Sequence, residues 1–561
     1  MAFNTKNTTP AKAPKPAAAI QTVGVTTNAK GAPAFVRNAK SELFLLAVGR
    51  FFGKDTFYET GLAGTDRLVG LVKQVAVEDP SWLLGFVGWL RNSGYIRTAA
   101  IVIGLEGAKA LLDAGLTDVR VEGREGRSIT RQLVSAGVQR GDEPGEALAY
   151  WASKYGNVKV KEGGRNSAPH LPSPVKRGIA DGLIRVATER ASAKWNTASK
   201  GFDWADVIML THPKTGQRKQ EALFKYTLDR KYKGTAAEVP WLLKTLSARK
   251  ELLAGEADLA EASTEELQKA GIRWENIASQ GEMTAAKWEA AIPTMGYMAQ
   301  LRNLRNFDQA GISNAAALAV QAKLIDPDEV AKSKQFPLRF LTAFTAAPSL
   351  RWSYPLAIAA DLSLTRVPSL AGRTLILVDT SGSMNADWNG DDKPESGIVR
   401  PKLWDAAALF GIALAKRSAG VDLYSYSGGR WPNHVKQFRV VEGAETLKEL
   451  KRWQTEGFNG GGGTPTIPAL QATFKDHDRV LLLTDEQHDY RTWALGTVGG
   501  VDKAIPASVP LFTFNLAGYV AGQTESKENR YTFGGLNDRA FEMISWVSDA
   551  AAQTWPWERA A

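Results

Sequence analysis

The sequence predicts two unlike folds in one chain, a stacked all-α helical-repeat (HEAT-like) part followed by an α/β, doubly wound, Rossmann-like domain. Three observations predict it. From Lys40 to about Leu364, apolar residues recur at three- and four-residue spacing in segments about one helix long. From Arg373 the period changes, and short β-rich runs alternate with helical segments, as in a parallel sheet covered on both faces. The charge changes sign at the same place: Met1–Gly372 holds 49 Lys and Arg against 36 Asp and Glu, and Arg373–Ala561 holds 20 against 23.

At 561 residues the chain is too long for one core, and roughly two to four domains are expected. There is no cysteine, which excludes disulfides, thiolate metal sites and cysteine nucleophiles and fits a cytoplasmic setting. No apolar run is long enough for a membrane span, so no membrane partner is expected. Residues 1–33 are rich in Ala, Lys, Thr and Pro and lack an apolar leader core; they read as a flexible tail. Residues 34–368 form the helical part and 369–561 the α/β domain.

Taken in order, the helical part opens with SELFLLAVGRFF, where Ser41 is a candidate N-cap. TDRLVGLVKQVAV, DPSWLLGFVGWLRNSG, YIRTAAIVIGLEGAKALLDAG and TRQLVSAGVQ follow, each closed by Gly, Pro or Asn. Short amphipathic helices that cannot bury their stripes alone suggest a stacked solenoid with a degenerate, structural repeat. GNVKVKEGGRNSAPHLPSP interrupts them, and VKRGIADGLIRVATERASAKW and WADVIMLTH resume. In the last, Trp204, Val207, Ile208 and Leu210 make the apolar face, and Thr211 and His212 end the helix before Pro213. Later, AAIPTMGYMAQLRNLRNF puts Arg302, Asn303 and Arg305 on one amphipathic helix. In the second part TLILV, VDLYSY, KQFRVV, RVLLLT and VPLFTFN read as strands. KLWDAAALFGIALAKRS and NDRAFEMISWVSDAA read as helices.

Lys154–Lys233 holds 17 basic and 7 acidic residues, a local excess as large as that of the whole protein at +10. A concentrated basic face is the footprint of a polyanion partner, although a solvated lysine-rich helix surface has the same composition. The five histidines show no zinc-ligand spacing, and no Ser-His-Asp set is evident.

The sharpest chemical signal is RTLILVDTSGSM, an apolar strand ending at Asp379 and followed by Ser381 and Ser383 in a tight turn. GFNGGGGTPT brings Thr464 in a glycine-rich loop, and RVLLLTDEQ puts Asp485 at another strand end. These are hard oxygen ligands suited to Mg²⁺ or another divalent cation. They can converge only if both strands lie near the centre of the sheet. The glycine run lacks the Gly-Lys-Ser/Thr of a phosphate-binding loop and serves to bring the backbone of Thr464 close to the ion. A strand-end Asp also opens aspartyl-phosphate hydrolases, but here Ser381 holds the place of the acid–base carboxylate, which disfavours a phosphohydrolase. Asp387, Asp391 and Asp392 stand in an acidic segment, 385–401, beside the site and are placed to cover or compete for it.

The order D-x-S-x-S, T, D resembles the metal-ion-dependent adhesion site of von Willebrand factor A domains. That resemblance implies Asp379, Ser381, Ser383, Thr464 and Asp485 as metal ligands. A second resemblance rests on DVIMLTHPK, VKRGIADGLIRVA and AIPTMGYMAQLRNLRNF, which are similar to motifs of the Ro autoantigen (TROVE-domain) family. DVIMLTHPK is similar to that family's D-x-L-x-L-S-H motif, with Met209 and Thr211 at positions that vary. The resemblance implies a monomeric helical ring closed by an A domain. It implies a non-enzymatic RNA-binding protein that takes small structured non-coding RNA (Y-like RNA) on a basic outer surface and single-stranded ends of misfolded RNA in a central hole. An exoribonuclease or another protein partner would act beside it. His212, Lys176, Arg177, Lys214, Arg302 and Asn303 are the RNA-contact candidates that carry over. The alternative of another class is a protein-interaction module, in which the metal captures a partner's carboxylate and the helices are scaffold.

Overall fold

The computed structural model describes residues 21–28, 32–49, 60–116, 127–156, 169–196, 201–254, 258–335, 337–347, 349–387, 401–428, 434–488, 501, 504–519, 521–527, 529–534, 555 and 557–558. Its first elements are a correction. Strands β1 (Thr22–Thr27) and β2 (Pro33–Arg37) pair antiparallel where the composition suggested a tail. TVGVTT alternates β-branched residues, which favour the strand, but carries too few apolar side chains to register as one. Helix α1 (Ala39–Gly49) then begins two residues ahead of Ser41. Its cap is Asn38, whose side-chain oxygen accepts from the Ser41 N–H at 2.9 Å, while the Ser41 hydroxyl accepts from the Gln21 N–H at 2.8 Å.

The next helices are α2 (Gly61–Glu78), α3 (Pro80–Asn92), α4 (Thr98–Asp113), α5 (Ile129–Gly137), α6 (Glu143–Tyr155), α7 (Ser173–Val186), α8 (Glu189–Trp195), α9 (Trp204–Thr211) and α10 (Arg218–Lys233). Local chemistry sets their starts: Thr60, Asp79, Ser128, Thr188 and Asp203 each accept a first-turn N–H with their side chains. Helices two apart stack, α2 on α4, α3 on α5, α5 on α7 and α7 on α9, so each buries its stripe against its neighbours. The α5–α7 contact is close because α7 offers glycine. A Cβ at Gly178 would meet the Arg131 carbonyl oxygen at 2.7 Å, and one at Gly182 would meet Val138 Cγ1 at 2.5 Å. Arg131 and Asp181 pin the same contact through two parallel hydrogen bonds of 2.7 Å.

The helical part continues through α11 (Lys244–Ala254), α12 (Thr264–Lys269), α13 (Trp274–Ala278), α14 (Ala285–Ala291), α15 (Tyr297–Ala310), α16 (Asn314–Leu324), α17 (Pro327–Ser333), α18 (Pro337–Ala346) and α19 (Leu350–Ser363). The second part holds β3 (Thr374–Asp379), α20 (Leu403–Arg417), β4 (Val421–Tyr426), β5 (Val435–Phe438), α21 (Thr446–Thr455), α22 (Thr466–Thr473), β6 (Arg479–Thr484), β7 (Leu511–Asn515), β8 (Ala521–Gly522) and β9 (Arg530–Gly534). Six strands form one sheet in the order β5-β4-β3-β6-β7-β9, parallel except for the β4–β5 pair. Helix α20, almost wholly buried, lies on β3 and β4. The expected helix NDRAFEMISWVSDAA lies outside the described residues.

The two parts are locked together. Helix α19 packs on α18 and on α21 of the sheet domain, and their apolar residues merge in one core cluster. The N-terminal hairpin reaches the same domain from the other end: β2 pairs with β8, making a small sheet β1-β2-β8. Beneath it Arg37 and Glu486 form a buried ion pair, and Asn28 donates to the His488 carbonyl at 2.9 Å. Trp555 packs against Phe44 and Trp82 with ring centroids 5.3 and 5.0 Å apart. Lys334, between α17 and α18, donates to the Tyr95 hydroxyl at 2.8 Å in the α3–α4 loop, joining distant repeats. The helical repeats thus run in a closed ring that the α/β domain completes.

Candidate metal centre and nucleic-acid interface

β3 and β6 are adjacent central strands, paired in register from Thr374–Arg479 to Val378–Leu483. Asp379 and Asp485 therefore emerge side by side at the carboxyl edge, where the strand order reverses and open α/β sheets bind ligands. Both are fully buried, as are Ser381 and Thr464, and Ser383 is 2% exposed. The Ser381 N–H donates to Asp379 Oδ1 at 2.9 Å and the Thr484 hydroxyl to Oδ2 at 2.6 Å, so the first carboxylate is held from both sides. Ser381 Oγ stands 3.3 Å from Ser383 Oγ, and the Gln487 N–H donates to Asp485 Oδ1 at 3.1 Å.

The glycine loop docks by backbone bonds. Gly461 N–H donates to the Thr380 carbonyl at 2.8 Å, and the Gly462 carbonyl accepts from Gly382 N–H at 2.9 Å. Gly462 has φ +79°, and a Cβ there would lie 2.5 Å from the Gly428 carbonyl oxygen, so only glycine fits this approach. The loop delivers Thr464, whose hydroxyl is buried and makes no hydrogen bond among the described residues. An orphaned buried hydroxyl beside two carboxylates and two serine hydroxyls is a donor set that fits a hard divalent cation. Burial, with the Asp379 and Asp485 carboxylates beside it, holds the Tyr426 hydroxyl far above its usual range and neutral. A cation here would offset the same negative field. Among the described residues no group of three His, Asp or Glu stands together as a metal site, so the hydroxyls are needed to complete this donor set.

Of the acidic segment, Asp387 is described. It bridges Lys402 in an ion pair and is directed there, not into the metal loop. Asp391 and Asp392 lie outside the described residues.

The six RNA-contact candidates fall in three places. His212 is the C-cap of α9, in the left-handed region at φ 49°, with its N–H on the Ile208 carbonyl at 2.9 Å and its imidazole exposed. Pro213 forbids the helix from continuing, and His is among the residues that tolerate this conformation. Lys214 is exposed two residues on. Lys176 and Arg177 occupy the first turn of α7, half-buried and exposed. The start of α10 meets α7 at its other end, where the Gln220 amide donates to the Ile184 carbonyl at 2.7 Å and the Ala187 carbonyl at 3.1 Å. Eight residues of helix, about 12 Å, thus lie between the two patches. Arg302 is exposed on α15, in a different repeat. Asn303, just over a quarter-turn round the same helix, is buried; its amide N–H donates to the Ala299 carbonyl at 2.7 Å and its Oδ1 accepts from the Asn306 amide at 2.8 Å. The structure thus places Asn303 in the packing of its helix and not beside Arg302 on the exposed face.

Sequence reasoning missed Thr484, one residue before Asp485, which fixes Asp379. It also missed Tyr426, which faces both carboxylates. Both sit at buried strand ends beside the motif, and only the strand register identifies them. Arg218, Lys225 and Arg230 were missed as well: they are exposed on α10 and have no ion-pair partner among the described residues.

Three comparisons bear on this arrangement. The TROVE domain family model matches residues 136–352. The "RNA-binding protein RO60" of Deinococcus radiodurans is 26% identical over 347 residues, covering 57% of this chain. That match spans 60% of the relative's length. The crystal structure of the Deinococcus radiodurans RO (RSR) protein superposes with a TM-score of 0.59 over 92% of this chain and 100% of that one, at 18% identity. The last is a likeness of fold, and it extends through both the helical ring and the sheet domain. Together the three support the likeness to the Ro family.

Proposed function

From this Ro-family likeness, we infer that the chain is a non-enzymatic RNA-binding protein of the TROVE family. It holds small structured non-coding RNA on the outer face of its ring and single-stranded ends of misfolded RNA in the central hole, within cytoplasmic RNA quality control or processing. One observation carries the reading. Within α7, α9 and α10 most charges are internally settled: Lys219 pairs with Glu189, Lys231 with Asp203 and Asp206, and Lys233 with Asp229. Arg185 is spent on the Ser135 and Val138 carbonyls. Arg177, Lys214, Arg218, Lys225 and Arg230 are left exposed with no ion-pair partner among the described residues, around the exposed His212. Exposed, unpaired cations suit phosphates, and a helix-end imidazole suits an unpaired base.

In this reading the A-domain site holds Mg²⁺ or another divalent cation through Asp379, Ser381, Ser383, Thr464 and Asp485. The cation secures the edge of the sheet and offers a docking position for a partner's carboxylate. That second, protein-interaction reading is favoured by the orphaned Thr464 hydroxyl alone. Sequencing the RNA that copurifies with the protein, with and without chelator, tests the proposal. Discrete small RNAs retained after chelation are expected. A preparation free of RNA, carrying instead a protein lost on chelation, would overturn it in favour of the second reading.

A further inference from the structure

The face that carries His212 has a feature that charge does not explain. Met209, one turn before His212, is 36% exposed, and Tyr232, near the end of α10, is 68% exposed. Its hydroxyl rests on the Met209 sulfur. Lys231 beside it is bound to Asp203 and Asp206, so the position is electrically settled. Helices α9 and α10 run antiparallel through a short connection, and Tyr232, Met209 and His212 follow one another along the hairpin. Met209 and His212 are separated by about 4.5 Å of helix rise. Lys214 and Arg218 lie at its turn, and Lys225, two turns before Tyr232, lies on the same face of α10, all exposed. A soft, flat strip between unpaired cations matches single-stranded nucleic acid, whose phosphates seek the cations and whose bases seek polarizable or aromatic faces. An apolar protein partner would leave those cations desolvated and unpaired, which costs binding.

We propose that Tyr232, seated on Met209, forms with His212 a stacking platform for successive unpaired bases of a bound RNA. This deepens, and rests on, the RNA-binding reading above. The platform is indifferent to base identity, because every base has a π-face, and it adds affinity without adding phosphate contacts.

The test uses the full chain and two labelled strands of about twelve nucleotides. One is oligoadenylate and the other is an abasic ribose-phosphate strand of equal length and charge. Tyr232→Ala is expected to weaken oligoadenylate binding at least about fivefold. Tyr232→Phe keeps it, Met209→Ala weakens it in the same direction, and the abasic strand is unaffected by all three. The dependence of affinity on salt should keep its slope, because no counterion-releasing contact is lost. Equal losses on both strands, or no loss on oligoadenylate, overturn the platform and leave the RNA-binding reading standing. A wild-type chain that binds neither strand overturns the platform, and one that also fails to bind a small structured RNA overturns the RNA-binding reading. Circular-dichroism melts check that the variants fold; Tyr232 is exposed enough for its truncation to be tolerated.

Discussion

Arg37→Met is the most informative single change to the architecture. Arg37 is 3% exposed and Glu486 fully buried, and their ion pair is joined by an Arg37 hydrogen bond to the Tyr519 carbonyl at 3.2 Å. Removing one partner of such a pair strands a buried charge, at a cost of about 3–5 kcal/mol. The Glu486 carboxylate keeps the Asn515 amide at 2.5 Å and the Gln523 N–H at 3.3 Å, so the lower end, about 3 kcal/mol, is expected. Arg37 belongs to β2, so the loss falls on the hairpin's attachment to β8. Native-state hydrogen exchange of peptides covering Thr22–Arg37 should accelerate about 100-fold or more, with the α15–α19 core unchanged. Arg37→Met combined with Glu486→Gln should recover most of the protection, since the stranded charge is gone. Unchanged exchange in the hairpin, or loss spread evenly over the chain, would refute the latch.

Other outcomes follow from the same geometry. Gly178→Ala places a methyl 2.7 Å from the Arg131 carbonyl and should lower the urea midpoint by an amount equivalent to about 1–3 kcal/mol, despite alanine's better helix propensity. Mg²⁺ at about a hundred times its dissociation constant should stabilise the sheet domain by about 2.7 kcal/mol in a thermal melt. Asp379→Ala should abolish that gain, and a gain equal in both proteins would remove the ion from the DTSGS site. Thr464→Val, which deletes the orphaned hydroxyl, should stabilise the metal-free protein slightly and weaken Mg²⁺ binding, read by calorimetry.

Much of this was legible in the residues. Strands ending at Asp379 and Asp485 announce themselves because buried parallel strands are continuous apolar runs and their ends carry the chemistry. The helix ending at His212 is equally plain, fixed by Pro213 after an apolar periodicity. The hairpin at Thr22–Arg37 was hidden because its stability comes from β8 and Glu486, roughly 450–490 residues away in sequence, not from its own few apolar side chains. Asn303 was misplaced for a simpler reason. Asn303 lies about 100° round α15 from Arg302, on the side of Leu304 and Phe307 that packs into the core, and only the packing shows which side that is. Tyr232 and Met209 gave no signal, since their meeting depends on how α10 folds back on α9.

The central claim is that the basic helices around His212 hold RNA. Filter binding of a small structured RNA across a salt series, with the wild type, His212→Ala and Lys176→Ala/Arg177→Ala, tests it most directly. The account predicts a steep fall in affinity with salt. It predicts a slope reduced by about one for each phosphate-contacting cation removed in the double variant. For His212→Ala it predicts weaker binding with the slope kept, and folded protein throughout. Affinities of both variants equal to wild type at every salt concentration would contradict it.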